Sequence, residues 1–356
     1  MKRLSHPELA LGAVFGNVLG FIFLLYLSTR MIKKIFYLLL LPLISNAQFF
    51  KQDNGLAHTF SIVAIDKEAG EMAVAVQSHW FSVGNVVAWA KSGVGVVATQ
   101  SFVNKSFGIR GLDMIKSGKN ATETLSNLLE DDKGREVRQV AVIDANGIIA
   151  NHTGTKCIDF AGDIIGKDYS VQANMMLNNT VPKAMSEAYE KSEGLPLAER
   201  VLAALEAAQA AGGDIRGRQS AAIRVVKIEI STEPWNDDFV VDLRVDDHEN
   251  PIEEIGRLLK VQRAYEFMND GDLHVEHNEM EKAMNAYNSA MQMFPENLEM
   301  QYWTAITLAN NGNIQQAAVM LQKVYKEDKN WRELTRRLPK VGLLTADDEA
   351  LMLLLK

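Results

Sequence analysis

The sequence predicts an α+β protein, a four-layer αββα sandwich followed by a small all-α repeat module, and three observations predict it. Strand-like runs come first, then a helix pair, strands, a second helix pair and strands again. That order fits two stacked sheets with helices outside better than a doubly wound sheet, in which strands and helices alternate singly. The opening strands are apolar on both faces, as a sheet covered on each side requires. Beyond residue 250 the strand signal stops and a 34-residue period replaces it.

The first strand pair is residues 59–65 and 72–78, β-branched and apolar, joined by the turn-like stretch 66–71. A third strand, 93–100, carries Gly93 and Gly95 where backbones can approach closely. The period then changes to helical. Leu112, Ile115, Leu125, Leu128 and Leu129 fit two short amphipathic helices, the second opened by Asn120 as N-cap. Strands return at 137–145 and 148–152, joined by Asn146-Gly147 as a two-residue hairpin turn, and again at 169–173. Helices follow at 181–193 and 197–211, the latter closed by Gly212-Gly213, and the last strands are 220–230 and 239–245.

In the C-terminal part, aligning 264–297 with 298–331 places Gly271 against Ala305, Ala283 against Ala317, Tyr287 against Leu321 and Ala290 against Val324. Small and bulky positions repeating in this way describe interlocking helix pairs of tetratricopeptide type. Pro295 ends the first unit, whereas Lys329 stands at the matching position of the second. Two repeats seldom stand alone, so they are expected to pack on the main domain or on a capping helix at 347–355.

Composition narrows the function classes. The chain has 356 residues, 47% of them hydrophobic and 23% charged, with 8 Pro, so it is globular with room for two domains of about 100–200 residues. A net charge of −8 with acidic and basic residues mixed along the chain argues against nucleic acid as a partner. The single cysteine, Cys157, excludes an intramolecular disulfide; a small buried hydrophobe is the expected role, a nucleophile the alternative. His274 and His277 have helical spacing but no third ligand, so no metal and no cofactor is expected.

The N-terminus is expected to direct export. Lys33 and Lys34 precede the apolar run 35–44, and Ser45-Asn46-Ala47 supplies small residues for cleavage before Gln48. Upstream, 11–27 approaches the roughly 17–25 residues of a membrane helix. Translation is expected to begin at Met31; if residues 1–30 are translated and retained, the protein is membrane-anchored. The expected organisation is thus 1–47 apolar segment and signal peptide, 48–57 linker, 58–247 sandwich and 251–356 helical module, in the periplasm or secreted.

The ordered motifs Thr59-Phe60-Ser61-Ile62-Val63-Ala64, Ala75-Val76-Gln77-Ser78, Gly95 to Gln100, Thr153-Gly154, Gln172-Ala173-Asn174-Met175 and Gly212 to Ser220 resemble an uncharacterised bacterial family, the domain of unknown function ten-twenty-eight. The resemblance implies an N-terminal-nucleophile (Ntn) hydrolase-like sandwich with a helical tail, and implies no activity. The opening also resembles that of proteasome β-subunits. On that likeness Thr59 takes the nucleophile position, Gln77-Ser78 an Asp-Ser position with Gln77 departing from the Asp, and Lys91 the position of a lysine on the following strand.

In such an enzyme the free α-amine of the first residue serves as base for its own hydroxyl. Thr59 must therefore become a chain terminus, which after cleavage before Gln48 takes a second cut between His58 and Thr59. The alternative is an inert strand residue. Ser61, two residues on and on the same face, is a second candidate nucleophile. Lys91 could lower the nucleophile's pKa or be a solvated strand-end lysine. Asp214, Arg216 and Arg218 on a Gly-rich turn could bind a carboxylate or supply oxyanion donors, or clip a helix-to-strand turn. Gln77, Ser78, Gln100, Asn104, Arg110, His152 and Asn174 complete the candidate substrate-binding set, with Asn104 and Arg110 in the loop after the third strand. Two functions are weighed: an exported amidohydrolase or peptidase-like enzyme acting on a small amide, and a non-catalytic module binding an envelope-derived ligand. In either, the helical repeats could recruit a protein partner, and a homo-oligomer stays open.

Overall fold

The computed structural model describes residues 56–230 and 239–356, so the expected export signal, the upstream apolar segment and residues 48–55 lie outside the described residues. The chain opens with β1 (Leu56–Ala57), β2 (Thr59–Asp66), β3 (Glu71–Ser78), β4 (Ala88–Lys91) and β5 (Gly95–Phe102). Then come α1 (Ser106–Lys116), α2 (Ala121–Glu130), β6 (Arg138–Asp144), β7 (Ile149–Thr153), β8 (Gly162–Ile165) and β9 (Tyr169–Ala173). A second helix pair, α3 (Val181–Lys191) and α4 (Leu197–Ala210), leads to β10 (Ser220–Lys227) and β11 (Phe239–Val245).

Two antiparallel sheets result. One runs β11-β10-β3-β2-β9-β8, the other β1-β5-β6-β7 with β4 also on β5. Three apolar layers separate four layers of structure. Val97, Phe107, Leu128, Val140 and Val142 pack α1 and α2 onto the smaller sheet. Val63, Ile65, Val74, Val76, Val96, Ala98, Ala141 and Ile143 fill the space between the sheets. Phe60, Ile62, Ala64, Ala75, Val171, Met185, Val201 and Leu205 pack the larger sheet against α3 and α4. Alternation along each strand thus assigns every residue a face: on β2 the odd positions look between the sheets and the even ones toward the helices.

Local chemistry explains the elements. Asn120 opens α2 with a complete capping box, its side chain accepting from the Glu123 amide while Glu123 reaches back to the Asn120 amide. The expected two-residue hairpin between β6 and β7 is instead a longer link, because Asp144 Oδ1 accepts from the amides of both Asn146 and Ile148 and Gly147 takes φ +83°. Strands β1, β4 and β8 are short and their sequence carries no periodicity of its own, so they add to the expected set. Arg110, expected in a loop, lies on α1.

The C-terminal helices are α5 (Pro251–Glu276), α6 (Met280–Met293), α7 (Leu298–Asn310), α8 (Ile314–Glu327), α9 (Asn330–Arg337) and α10 (Asp348–Leu354), the last capped by Asp347. Residues paired by the 34-residue period are buried: Ala283, Tyr287 and Ala290 in one cluster, Ala305, Ala317, Leu321 and Val324 in the next. A Cβ on Gly271 would meet the Tyr287 ring at 2.3 Å, so α5 and α6 approach as closely as glycine allows. Gly271→Ala should therefore cost about 1–3 kcal/mol of stability, read from the urea midpoint.

Helix α5 belongs to both regions. Ile252, Ile255 and Leu259 at its start are buried in the core beneath the larger sheet, while Ala264 and Met268 further on join the helical cluster. Arg263 reinforces the junction by bonding the Glu199 carboxylate of α4 through Nε at 2.8 Å and Nη2 at 3.0 Å. Ile255→Ala should cost about 2–5 kcal/mol. A chain ended at residue 247 should melt lower than one ended after Glu276, because only the longer chain keeps Ile252, Ile255 and Leu259 in the core.

Candidate functional site

The space between the sheets is apolar at one end and polar at the other. Inward positions that hold valine and isoleucine over most of the strands hold Ser61, Ser78, Gln100, Gln139, Asn151, Thr153, Ser170 and Gln172 at the end where β2 begins. Ser61, Ser78, Gln100, Gln139, Ser170 and Gln172 are buried and Asn151 and Thr153 half-buried, and these groups find their partners within the protein. Ser61 Oγ donates to Gln100 Oε1 at 2.6 Å and accepts from Gln172 Nε2 at 2.7 Å. Gln139 Oε1 accepts from Gln100 Nε2 at 2.7 Å and from Asn174 Nδ2 at 2.9 Å, and Gln139 Nε2 donates to Thr153 Oγ1 at 2.8 Å. Thr153 donates to Asp163, Asn151 bridges Asp163 and Ser170, and Ser170 donates to Gln172, which closes the ring.

Thr59 sits at the edge of this ring. It is fully buried, and its Oγ1 donates to the Ala57 carbonyl at 2.8 Å. Its own carbonyl accepts from the Asn174 amide at 3.1 Å and from Gln100 Nε2 at 3.3 Å. The peptide before it is held more tightly: the His58 carbonyl oxygen accepts from Arg216 Nη2 at 2.8 Å and from Ser78 Oγ at 2.5 Å. Arg216 is aimed by Asp214, a buried carboxylate that accepts from Arg216 Nε at 3.0 Å, Arg216 Nη2 at 2.7 Å and the amides of His79 and Arg216. One guanidinium and one hydroxyl thus point at the oxygen of the His58–Thr59 bond, the arrangement that stabilises developing negative charge.

The His58 side chain is buried as well. Its Nδ1 lies 2.8 Å from Asn174 Oδ1, an acceptor, so the proton is on Nδ1, and Nε2 has no partner among the described residues. Burial pushes its pKa below the ordinary value, against the opposing hydrogen bond to Asn174. The folded state therefore prefers the neutral ring, whereas the unfolded chain takes up a proton once pH drops below about 6.5. Stability from this site is complete above that pH and is lost as pH falls toward the lowered folded value. His58→Gln, which keeps a donor toward Asn174 and does not titrate, should make the fall in melting temperature between pH 7.5 and pH 5 shallower than in the parent chain.

The remaining candidates divide by face and by end. Gln77 pairs in register with Phe60 and Ala221, so it looks toward the helix layer, away from Thr59, and its buried amide has no partner among the described residues. Lys91 pairs with Gly95 at the opposite end of β5 from Ser101, so the positive charge beside Thr59 is Arg216. His152 looks outward and bonds the Arg135 carbonyl, while Thr153 looks inward. Asn104 caps the start of α1 through Ser106, and Arg110 lies 3.8 Å from Asp131 on the outer surface. Arg218 reaches Asn250 at the surface instead of Thr59. Cys157 is buried with its thiol toward the Arg138 carbonyl, and burial raises its pKa, which keeps it protonated. His274 bonds Glu279 at 2.7 Å, so its partner is a carboxylate of the next helix start.

Gln139, Gln172, Asn151, Thr153, Ser170 and Asp163 are members of the ring that were absent from the candidate set. Their signal is a polar residue at an inward position of an otherwise apolar strand. Backbone strain marks the same end: Ser82, Ser101 and Met175 take φ of 55°, 69° and 58°. Elsewhere, Lys326, Lys329, Arg332, Arg336 and Lys356 line one cleft on the helical region, a local grouping of cations that the mixed charge of the chain conceals. Arg332 there bonds the carbonyls of Leu355 and Lys356, and Arg336 bonds Glu333. Helix α5, at 26 residues, is polar, and no helix among the described residues is long and apolar enough to cross a membrane.

Two antiparallel sheets between helix pairs, with a buried amide ring at the strand end where Arg216 and Ser78 converge on one peptide oxygen, define the class of protein. The chain belongs to the Family of unknown function (DUF1028), whose family model matches residues 59–255. That span contains Thr59, the whole ring and the Asp214–Arg216 pair. The crystal structure of protein SPO2555 from Silicibacter pomeroyi, assigned to the same family model, is similar at 31% identity, covering 57% of this chain and 85% of that one with a TM-score of 0.51. No curated protein matches the chain.

Proposed function

We propose that this protein is an exported amide-bond hydrolase of the Ntn type, with Thr59 as nucleophile once the His58–Thr59 bond is cut. The observation that carries the reading is the pair of donors, Arg216 Nη2 and Ser78 Oγ, on the His58 carbonyl oxygen. In the first event Thr59 Oγ1, turned from the Ala57 carbonyl, attacks the His58 carbonyl carbon. The negative charge on oxygen meets Arg216 and Ser78, the His58 C–Thr59 N bond breaks, and the hydroxyl proton ends on the departing nitrogen. Water then hydrolyses the resulting ester, leaving a His58 carboxylate, the Thr59 hydroxyl and a free Thr59 α-amine.

In the second event that amine takes the proton of Oγ1 as it attacks a substrate carbonyl placed where the His58 carbonyl had been. The leaving amine carries the proton away, and water hydrolyses the acyl-enzyme. Gln100 and Asn174, which hold the Thr59 carbonyl, fix the position of the nucleophile through both events. The tetratricopeptide-like helices are assigned the recruitment of a protein partner.

The test is Arg216→Gln followed by intact mass over time. Loss of the guanidinium should slow the appearance of a Thr59 terminus about 100- to 1,000-fold, the effect of removing one oxyanion donor. A rate unchanged from the parent would retire the assignment. The complete burial of Thr59 in the intact chain favours one second reading, a module whose ring and strand end serve only to bind an envelope ligand. A chain that never acquires a new terminus supports that reading.

A further inference from the structure

The residues in front of Thr59 do more than cover it. Strand β4 stops pairing with β5 at Ala88 opposite Ala98, which leaves the far half of that β5 edge open. Residues 56 and 57 fill it as β1, antiparallel, with Leu56 opposite Phe102 and Ala57 opposite Ser101. Ala57 is buried among the residues between the sheets, and His58 is buried against Asn174 Oδ1 and the edge of the Phe102 ring, whose centroids are 5.6 Å apart. The chain then presents its His58 carbonyl to Arg216 and Ser78.

This is the geometry of an acyl donor bound in a site: main-chain pairing along an edge, one side chain in a pocket, and the reacting carbonyl on its donors. Resting on the Ntn reading, we propose that Leu56-Ala57-His58 occupies the acyl half of the substrate site as a built-in surrogate. The substrate is then an extended peptide that adds to the β5 edge and carries a neutral, hydrogen-bond-donating side chain next to the scissile bond. The pocket selects that side chain because Asn174 Oδ1 is an acceptor and its Nδ2 is committed to Gln139 Oε1. A carboxylate there would forfeit the N–H that the His58 ring donates to Asn174 Oδ1 and set one acceptor against another. Leader and substrate compete for one slot, so the leader must leave before substrate enters.

The experiment uses the full-length chain with Leu56, Ala57 and His58 all replaced by glycine, which keeps the backbone length and empties the pocket. Calorimetric titration with the peptide Gly-Leu-Ala-His bearing a free carboxylate should show binding, and the parent chain, whose slot is filled, should bind at least tenfold more weakly. The peptide ending in Asp in place of His should bind the glycine chain at least tenfold more weakly than the His peptide. Absence of binding by a glycine chain of normal melting temperature, or equal binding of the His and Asp peptides, would overturn the proposal. If the triple replacement unfolds the chain, His58→Gly alone carries the test: millimolar imidazole should raise its melting temperature and acetate should not, and equal effects would overturn the assignment. Binding needs no chemistry at Thr59. A chain that binds the peptide and never cuts itself therefore retires the hydrolase reading alone, whereas one that cuts itself and ignores the peptide retires this inference alone.

Discussion

Thr59→Ala should abolish both the shortened chain and all amide hydrolysis while leaving the fold in place. Without Oγ1 there is no attack on the His58 carbonyl, so the expected loss is at least about a thousandfold, down to the background set by the remaining site. The stability effect is small by comparison. The substitution removes one hydrogen bond, to the Ala57 carbonyl, worth about 1 kcal/mol, and one methyl group worth about as much. At about 2–4 °C per kcal/mol the melting temperature should fall by only several degrees. Intact mass and calorimetry on the same sample check both halves. A chain that is cut as before shows that Thr59 is not the nucleophile. A loss of stability far beyond this marks Thr59 as a packing residue instead.

Gln139→Ala should give the largest loss of stability of any single change in the ring, about 3–5 kcal/mol. Its amide is the hub: Oε1 accepts from Gln100 and Asn174, and Nε2 donates to Thr153 and to the carbonyl of Ala173. Removing it leaves several buried partners short of a hydrogen bond at about 1–3 kcal/mol each, partly offset where Gln100 and Asn174 retain the Thr59 carbonyl. The denaturant midpoint should drop with an unchanged slope, since the surface exposed on unfolding is the same. A loss below about 1 kcal/mol would mean that the ring does not hold the two sheets together at this end.

Both predictions depend on residues whose visibility in the sequence differs. The layering was legible because a strand buried on both faces must be apolar on both, and the stretches 62–65 of β2 and 72–76 of β3 are. The α2 start was legible because Asn120 stands as an N-cap residue just before a helical apolar period, and the repeated helices because Ala283 and Ala317 recur 34 residues apart. Thr59, Ser61, Ser78, Gln100, Asn174, Asp214 and Arg216 do meet at one end. Gln77 joins the candidate set through the likeness that lays Gln77-Ser78 on an Asp-Ser position, but neighbours on a strand look to opposite faces, and Gln77 faces the helix layer. Lys91 lies at the other end of its sheet, which order along the chain does not reveal, whereas His152 lies at the ring's end but on the outward face, beside inward-facing Thr153. The junction through α5 was hidden for another reason. The polar stretch 246–250 does lie at or near the surface, yet the helix that begins at Pro251 turns back under the larger sheet, and only packing shows that.

The central claim is that Thr59 becomes a chain terminus with an amine free to act as its base. The most direct measurement is the intact mass of the chain recovered after export of the full-length gene product, followed over hours at neutral pH. A species beginning at Gln48 should convert into one beginning at Thr59, with hydrolytic activity rising in step. A chain that stays at Gln48 throughout, or that reaches Thr59 with no gain of activity, would contradict the claim.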